Sequence, residues 1–490
     1  MCSDRLLTPG DTCWRVERAD QFACIIDGAD YFRHCKAAML RAHRRIMLIG
    51  WDFDTRIAFE RGDKVLPGPN QLRAFLPWML WKRPSLEIYL LKSNLRLLPA
   101  FDDLWDGIAP VSLLNRLSAK RLHFAVDGAH PIGSVHHQKI VVVDDVLAFC
   151  GGIDLTLERW DTPEHLDDSR FRRAAGSSYG PRHEVAAVVD GAAAGALGEL
   201  ARVRWLTATG QSLAPLDVDH LAWPSGLEPA LRNIDVGIAR TLPELDERTE
   251  VREVETLNLA AIAAARHTIY LENQYLASRT LADALADRLQ EPDGPEIVIV
   301  LPRSSESLLE EESMDSARYL LLQMLWAADE YHRLGVYWPV TDGGTAIYVH
   351  SKVLVVDDRL LRIGSSNLNN RSMGFDSECD LAFEADPDAS EHGDIRETIT
   401  SVRNQLVCEH LGVSHDDFES AVQQRDSFLQ AVEALRGQGR TLRKFTKDTV
   451  ADEASLLAEN DLMDPDHVPR SLARSVARWL EGFTRKPPRV

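Results

Sequence analysis

Apolar positions along the chain gather into short, β-branched runs set between stretches of helical spacing, and the sequence of runs and stretches occurs twice. In the first half, a helical stretch at residues 29–44 leads into the run 45–51 (RIMLIGW). A helical stretch at 71–82 follows, and then the run 86–91 (LEIYLL). Much later, a stretch at 256–266 leads into 267–275 (HTIYLENQY), a stretch at 281–290 and the run 296–301 (EIVIVL). A third run closes each series, 121–126 (RLHFAV) in the first and 334–339 (LGVYWP) in the second. Apolar runs of this length suit buried strands, and strands alternating with helices predict α/β sheets flanked by helices. Two similar series predict a duplicated fold: two α/β halves, each with a mixed β-sheet, related by a pseudo-twofold axis with the site at their interface.

The breaks in this pattern divide the chain. Residues 214–250 are rich in proline and acidic residues with little periodicity, so residues 1–215 form the first half, 216–250 a linker and 251–413 the second half. Residues 414–490 read as a C-terminal helical extension. Within it, residues 414–447 have helical spacing up to the stop at Gly437-Gln438-Gly439. At residues 470–486, Leu472, Val476, Trp479, Leu480 and Phe483 recur at helical spacing with Arg470, Arg474, Arg478, Arg485 and Lys486 on or near the other face. Such a basic amphipathic helix suits docking on its own domain or peripheral contact with an anionic membrane.

Both halves converge on one phrase. Residues 135–155 read VHHQKIVVVDDVLAFCGGIDL, and residues 349–369 read VHSKVLVVDDRLLRIGSSNLN. The shared pattern is His137-x-Lys139-x4-Asp144 followed by Gly151-Gly152-x-Asp154, and His350-x-Lys352-x4-Asp357 followed by Gly364-Ser365-x-Asn367. A His and a Lys two apart on a strand project from the same face. Two copies brought face to face would place two imidazoles and two ammoniums around one point, an arrangement that fits a phosphodiester. The lysines screen the non-bridging oxygens, one His attacks phosphorus and the other protonates the leaving alcohol. With the lysines carrying the charge stabilisation, this chemistry calls for no metal and no cofactor.

Composition narrows the substrate. Formal net charge is -20, whereas a protein that grips nucleic-acid phosphates is usually basic, so a nucleic-acid partner is not expected. The seven cysteines include Cys2, Cys13, Cys24 and Cys35 at eleven-residue intervals, which are not zinc-knuckle spacings, and free thiols are expected. The N-terminal stretch is polar without an apolar core, and no apolar run is long enough to span a bilayer. A cytoplasmic chain, or one peripheral at the membrane, is the expectation.

The sequence resembles the phospholipase D superfamily, with both HKD motifs complete. Gly152-Ile153-Asp154-Leu155 followed by Arg159-Trp160-Asp161 is similar to the eukaryotic-type branch, as are residues 269–275 and the stretch from Gly364-Ser365-Ser366-Asn367 to Arg371-Ser372-Met373. The resemblance covers most of residues 45–384. It implies that His137 forms a phosphohistidine and that His350 is general acid and then base. It also implies that Lys139, Lys352 and Asn367 hold the phosphate, with Ser365 as a further substrate contact. Asp154 stands where some members carry Asn, and a carboxylate there repels a phosphate unless it is hydrogen-bonded or paired. In the family, an acidic residue downstream of each motif orients the opposite histidine, which assigns Glu184 to His350 and Glu378 to His137.

Other positions are open to two readings. Asp144 and Asp357 read as structural supports of the interface between halves. Glu272, Asn273 and Gln274, at a strand end, suit either substrate contact or a strand cap, and Trp51, at the equivalent place in the first half, reads as core. Residues 159–184 suit an active-site rim or an ordinary loop. The function implied is cleavage of the distal phosphodiester of a glycerophospholipid, giving phosphatidic acid with water as acceptor or a new phospholipid with an alcohol. The rival readings are a cardiolipin-synthase-like phosphatidyltransferase, a nuclease of the same superfamily and an inactive lipid-binding protein.

Overall fold

The computed structural model describes residues 5–94, 120–174, 176–245, 248–306, 314–385, 393–450 and 464–467, with the backbone of the short strands Leu104–Trp105 and Ala109–Pro110. The amphipathic stretch at 470–486 and Cys2 lie outside the described residues. The first half contributes β1 (Arg15–Ile26), β2 (Arg45–Gly50), β3 (Glu87–Ser93), β4 (Leu122–Asp127), β5 (Ile140–Val143), β6 (Leu147–Gly151) and β7 (Val185–Asp190). The second contributes β8 (Leu231–Leu242), β9 (Thr268–Glu272), β10 (Glu296–Val300), β11 (Leu334–Val340), β12 (Val353–Val356), β13 (Leu360–Gly364) and β14 (Glu378–Glu384), and β15 (Thr441–Lys444) closes the edge.

These strands lie in one mixed sheet, in the order β15-β11-β10-β9-β12-β13-β14-β8-β1-β7-β6-β5-β2-β3-β4. The order is a palindrome about the antiparallel pair β1–β8, which runs in register from Arg15↔Ile238 to Phe22↔Leu231. The duplication is therefore real in the fold, and the two expected sheets are fused into one at the pseudo-twofold axis. The β2–β3–β4 and β9–β10–β11 ladders are parallel, and the crossovers from β2 to β3, from β9 to β10 and from β10 to β11 each carry a helix, as parallel connections commonly do. The helices α1 (Gly28–Met39), α2 (Leu72–Lys82) and α3 (Gly191–Thr209) have counterparts in α4 (Glu253–Ala264), α5 (Arg279–Gln290) and α7 (Gly393–Leu411), with α6 (Ser316–Ala328) between β10 and β11.

Residues 216–250 are not a linker. They contain β8, one of the two central strands, whose Ile234, Val236 and Ile238 are buried while Arg232 and Asp235 are exposed. Alternation of period two, diluted by Asn233 and Gly237, hid a strand inside a polar segment. The C-terminal extension is helical only in part. Helices α8 (His415–Arg425) and α9 (Phe428–Leu435) are capped by Ser414 and Ser427, and the chain then enters the sheet as β15, antiparallel to β11. Cys13, Cys24 and Cys35 are free thiols, two of them buried. Among the described residues, no helix is long and apolar enough to cross a membrane.

Candidate active site

Each motif histidine stands immediately before an apolar strand whose every residue is buried, β5 in the first half and β12 in the second. The two approaches to the site are swapped between halves. The amide of His137 donates to the carbonyl of Ser377, and that of His350 donates to the carbonyl of His183. The residue after each of those carbonyls is a glutamate. Pairing across the pseudo-twofold axis thus aims Glu378 at His137 and Glu184 at His350 through backbone geometry alone.

Glu378 places both carboxylate oxygens 3.1 Å from Nδ1 of His137 and accepts further hydrogen bonds from Ser365 Oγ and, at 2.7 Å, Ser372 Oγ. Glu184 places Oε2 2.8 Å from Nδ1 of His350. With both Nδ1 atoms so engaged, Nε2 of each ring is the nitrogen left for chemistry. Lys139 Nζ lies 3.0 Å from the His137 carbonyl and 3.1 Å from Asp154 Oδ2. Lys352 Nζ lies 2.7 Å from the His350 carbonyl and 3.1 Å from Gln274 Oε1.

The halves differ at the position after the Gly-x pair. Asp154 is paired with Lys139 and accepts the Trp51 amide at 3.0 Å, so its charge is compensated within the protein. Asn367 is buried, and its Oδ1 has no hydrogen-bond partner among the described residues, which leaves it free for a ligand. Gly152 lets the two motifs approach. A Cβ there would stand 3.0 Å from the His350 carbonyl oxygen and 3.3 Å from Lys352 Cδ.

Electrostatics follow from burial among like charges. The His137 imidazole is held well below its ordinary value by burial, with Lys139 and Lys352 adding to the effect. His350 is lowered in the same way by burial, then by Lys352, Arg159, Arg182 and Lys139. Burial also drives Lys352 well below the ordinary lysine range. It lifts Glu378 well above the ordinary carboxylate range, against the hydrogen bonds from Ser365 and Ser372, and it raises Glu184 against Arg159, Arg182 and Lys352. Two imidazoles held neutral by burial thus sit among the side chains of Lys139, Lys352, Arg159 and Arg182.

A family model described as "Phospholipase D" matches residues 339–458, and one described as "Cardiolipin synthase, PLD-like domain" matches residues 259–397. Phospholipase D alpha 1 of Cynara cardunculus is 26% identical over 471 residues, covering 72% of this chain and 55% of the plant protein. The chain belongs to the phospholipase D superfamily. Phospholipase D delta of Arabidopsis thaliana is 25% identical over 420 residues, with 58% and 48% covered. The chain spans about half the length of the curated relatives it matches. In fold it is similar to phosphatidylserine synthase from Haemophilus influenzae Rd KW20, with a TM-score of 0.57 over 96% of both chains at 13% identity.

Several residues of this superfamily member sit elsewhere than expected. Asp144 does not support the interface between halves: its carboxylate accepts the amides of His43, Arg44 and Arg45 at 2.6, 2.8 and 2.5 Å, all within the first half. Asp357 does the same for Arg266, His267 and Thr268 at 2.9, 2.8 and 2.7 Å. Each aspartate, at φ 54° or 53°, pins the entry to the neighbouring strand. Glu272 faces away from the motif histidines, between His183 and His410, and Asn273 is spent on Ser366, Leu368 and Tyr275. Of that triplet, Gln274 alone reaches the site, linking Lys352 to the Tyr348 hydroxyl at 2.9 Å. Ser365 touches Glu378 rather than open space.

Four residues were missed by sequence reasoning. Trp51 is not core: its ring centroid is 6.3 Å from that of His137, and Tyr348 stands 6.4 Å from His350, so each histidine has an aromatic flank. Arg159 and Arg182 approach Glu184 at 3.8 and 4.0 Å, and the Arg182 guanidinium lies 4.7 Å over Tyr348. Both arginines fall in the 159–184 segment that sequence offered as a rim or an ordinary loop, but no spacing rule marks either of them as a partner of Glu184.

Proposed function

We propose that the protein is a phospholipase D acting on the distal phosphodiester of a glycerophospholipid. The observation that carries this reading is the pair of free Nε2 atoms, one on each half, set among Lys139 and Lys352. Nε2 of His137 attacks phosphorus and the bond from phosphorus to the headgroup oxygen breaks. His350 gives its Nε2 proton to that oxygen, and the alcohol departs. The phosphodiester's own charge among the cations raises His350, so the acid is loaded by the substrate it acts on. Water, or an acceptor alcohol, then gives its proton to His350 and attacks phosphorus, the N–P bond breaks, and His137 is restored. Lys139 and Lys352 balance the non-bridging oxygens and the Asn367 amide donates to them through Nδ2, while Glu378 and Glu184 fix the tautomers as positioning residues.

The cardiolipin-synthase match favours a second reading, in which the acceptor alcohol is itself a phospholipid headgroup. Both share the intermediate and differ only in what attacks it. Vesicles of phosphatidylcholine, phosphatidylethanolamine and phosphatidylglycerol, with and without ethanol, separate them by mass spectrometry of the products. Headgroup release with phosphatidic acid is expected. His137→Asn is expected to abolish every product, and full activity in that variant overturns the proposal.

A further inference from the structure

Beyond the phosphodiester site, the described residues hold a second concentration of chemistry. Asp27, His165, His183 and Glu409 converge from the start of α1, from the segment between β6 and β7, and from α7, and all four are buried. The geometry points to a structural transition-metal site, best suited to zinc, built from one carboxylate oxygen of Asp27, Nε2 of His165, Nδ1 of His183 and Oε1 of Glu409.

Distances support this. Glu409 Oε1 is 3.1 Å from His165 Nε2 and 2.8 Å from His183 Nδ1. Asp27 brings Oδ1 to 3.5 Å from His183 Nδ1 and Oδ2 to 3.6 Å from His165 Nε2. A tetrahedron whose centre lies about 2.0–2.1 Å from each ligand has edges of roughly 3.3 Å. The two Glu409 separations fall just below that length, each Asp27 oxygen stands just above it from one histidine, and one atom from each of the four residues lies within 4.8 Å of the others. The set of two imidazoles and two carboxylates suits zinc's borderline character.

The atoms behind the ligands are those a metal site uses. His165 points its other nitrogen, Nδ1, at Asp161 Oδ2 at 3.0 Å, and His183 points Nε2 at Glu272 Oε2 at 3.0 Å. Both carboxylates are anchored in turn. Asp161 accepts from Arg172 at 3.3 Å and from the Arg182 amide at 2.9 Å. Glu272 accepts from Tyr270 at 2.5 Å, Ser351 at 2.7 Å and His410 at 2.9 Å. A carboxylate behind each ligating histidine fixes its tautomer and sharpens its lone pair.

An independent mark is Asp27 Oδ2, fully buried and without a hydrogen-bond partner among the described residues. Asp27 also precedes α1 without capping it. Each histidine faces a carboxylate from both nitrogens, so a neutral ring leaves one lone pair against an anion. Two added protons relieve this, and so does one divalent ion. The ion binds where two protons would otherwise sit, and its binding releases them.

The ion ties the first half to α7 of the second. It also holds His183, whose carbonyl accepts the His350 amide and whose neighbour is Glu184. It touches no reacting atom and acts on the phosphodiester site only through position.

The test is metal analysis of the full chain as purified from zinc-supplemented medium. A second sample is unfolded with EDTA and refolded with Co²⁺, and its visible spectrum is recorded. About one metal per chain is expected, with the intense bands of tetrahedral cobalt. His165→Asn and Glu409→Gln should cut metal content at least about tenfold, while the exposed His332→Asn should leave it unchanged. A folded wild-type chain holding less than about a tenth of an equivalent, as purified and after refolding, overturns the proposal in favour of a metal-free imidazolium–carboxylate network. Should the chain fail to refold, the content as purified decides alone.

Discussion

Nδ1 of His137 lies 3.1 Å from both carboxylate oxygens of Glu378, a residue 241 positions away on the other half of the duplication. The contact exists because the His137 amide and the Ser377 carbonyl pair across the pseudo-twofold axis. Glu378→Gln retains the shape and presents either a carbonyl or an amide to Nδ1, so the tautomer is no longer fixed. The expected result is a fall in kcat of about 10²–10⁴-fold with KM nearly unchanged. Burial works against the native carboxylate's charge, so thermal unfolding should shift little. A steady-state comparison with a melting curve checks both parts.

In the proposed mechanism His350 is acid in the first half-reaction and base in the second, so removing it need not stop the first when the leaving group needs no proton. His350→Ala given a p-nitrophenyl phosphodiester should release p-nitrophenol in a burst of about one equivalent and then stall. Intact-protein mass spectrometry and tandem fragmentation should place the phosphoryl adduct on His137. An adduct elsewhere, or continuous turnover, contradicts the division of roles.

Much of this arrangement is legible along the chain. The strands beginning near residues 45, 87, 268 and 296 fall where apolar runs predict, because fully buried strands need uninterrupted apolar sequence. The motif histidines and lysines are marked by repetition. The central strands β1 and β8 are not, since charged residues such as Arg18 and Asp235 occupy their exposed faces and meet each other at 3.0 Å. The roles of Asp144 and Asp357 were misread because sequence shows that they end strands but not which amides they face. Arg159 and Arg182 enter the site through tertiary packing, which leaves no periodic trace.

The pH profile follows from three depressed groups. In the proposed mechanism His137 attacks as the free base, and its lowered value keeps it in that form below pH 6.5, the ordinary imidazole value. Lys352 serves there as a cation and His350 as the proton donor, and both are lowered, so in the free enzyme each loses its proton before its ordinary value of 10.5 or 6.5. Both limbs of kcat/KM, which reports the free enzyme, should therefore lie below pH 6.5, and the alkaline limb of kcat should lie higher because the bound phosphodiester raises His350. An acid limb above 6.5 contradicts the cationic surroundings described for His137.

Asp144 and Asp357 should matter to the fold and not to the chemistry. Each satisfies three buried or partly buried amides, and truncation to Ala strands all three. A stability loss of about 2–4 kcal/mol is expected for each, read from denaturant midpoints. Activity per folded molecule should stay within about twofold of the native chain, since neither carboxylate contacts a motif His or Lys.

Gly152 is where the two halves come nearest to the chemistry without a side chain between them. A methyl group there would meet the His350 carbonyl oxygen at 3.0 Å and Lys352 Cδ at 3.3 Å, and both atoms belong to the second motif. The Lys352 stem has room to rotate only by giving up Gln274, while the His350 backbone is held by the His183 carbonyl. Gly152→Ala should therefore displace the acid by a few tenths of an ångström and lower kcat about tenfold, with Gly152→Val lowering it about a hundredfold. Gly180→Ala, which meets nothing within 4 Å, is the control for a glycine in the same half. Full activity in both Gly152 variants would mean that His350 does not depend on the close approach of the motifs, and the geometry of the acid would have to come from Glu184 alone.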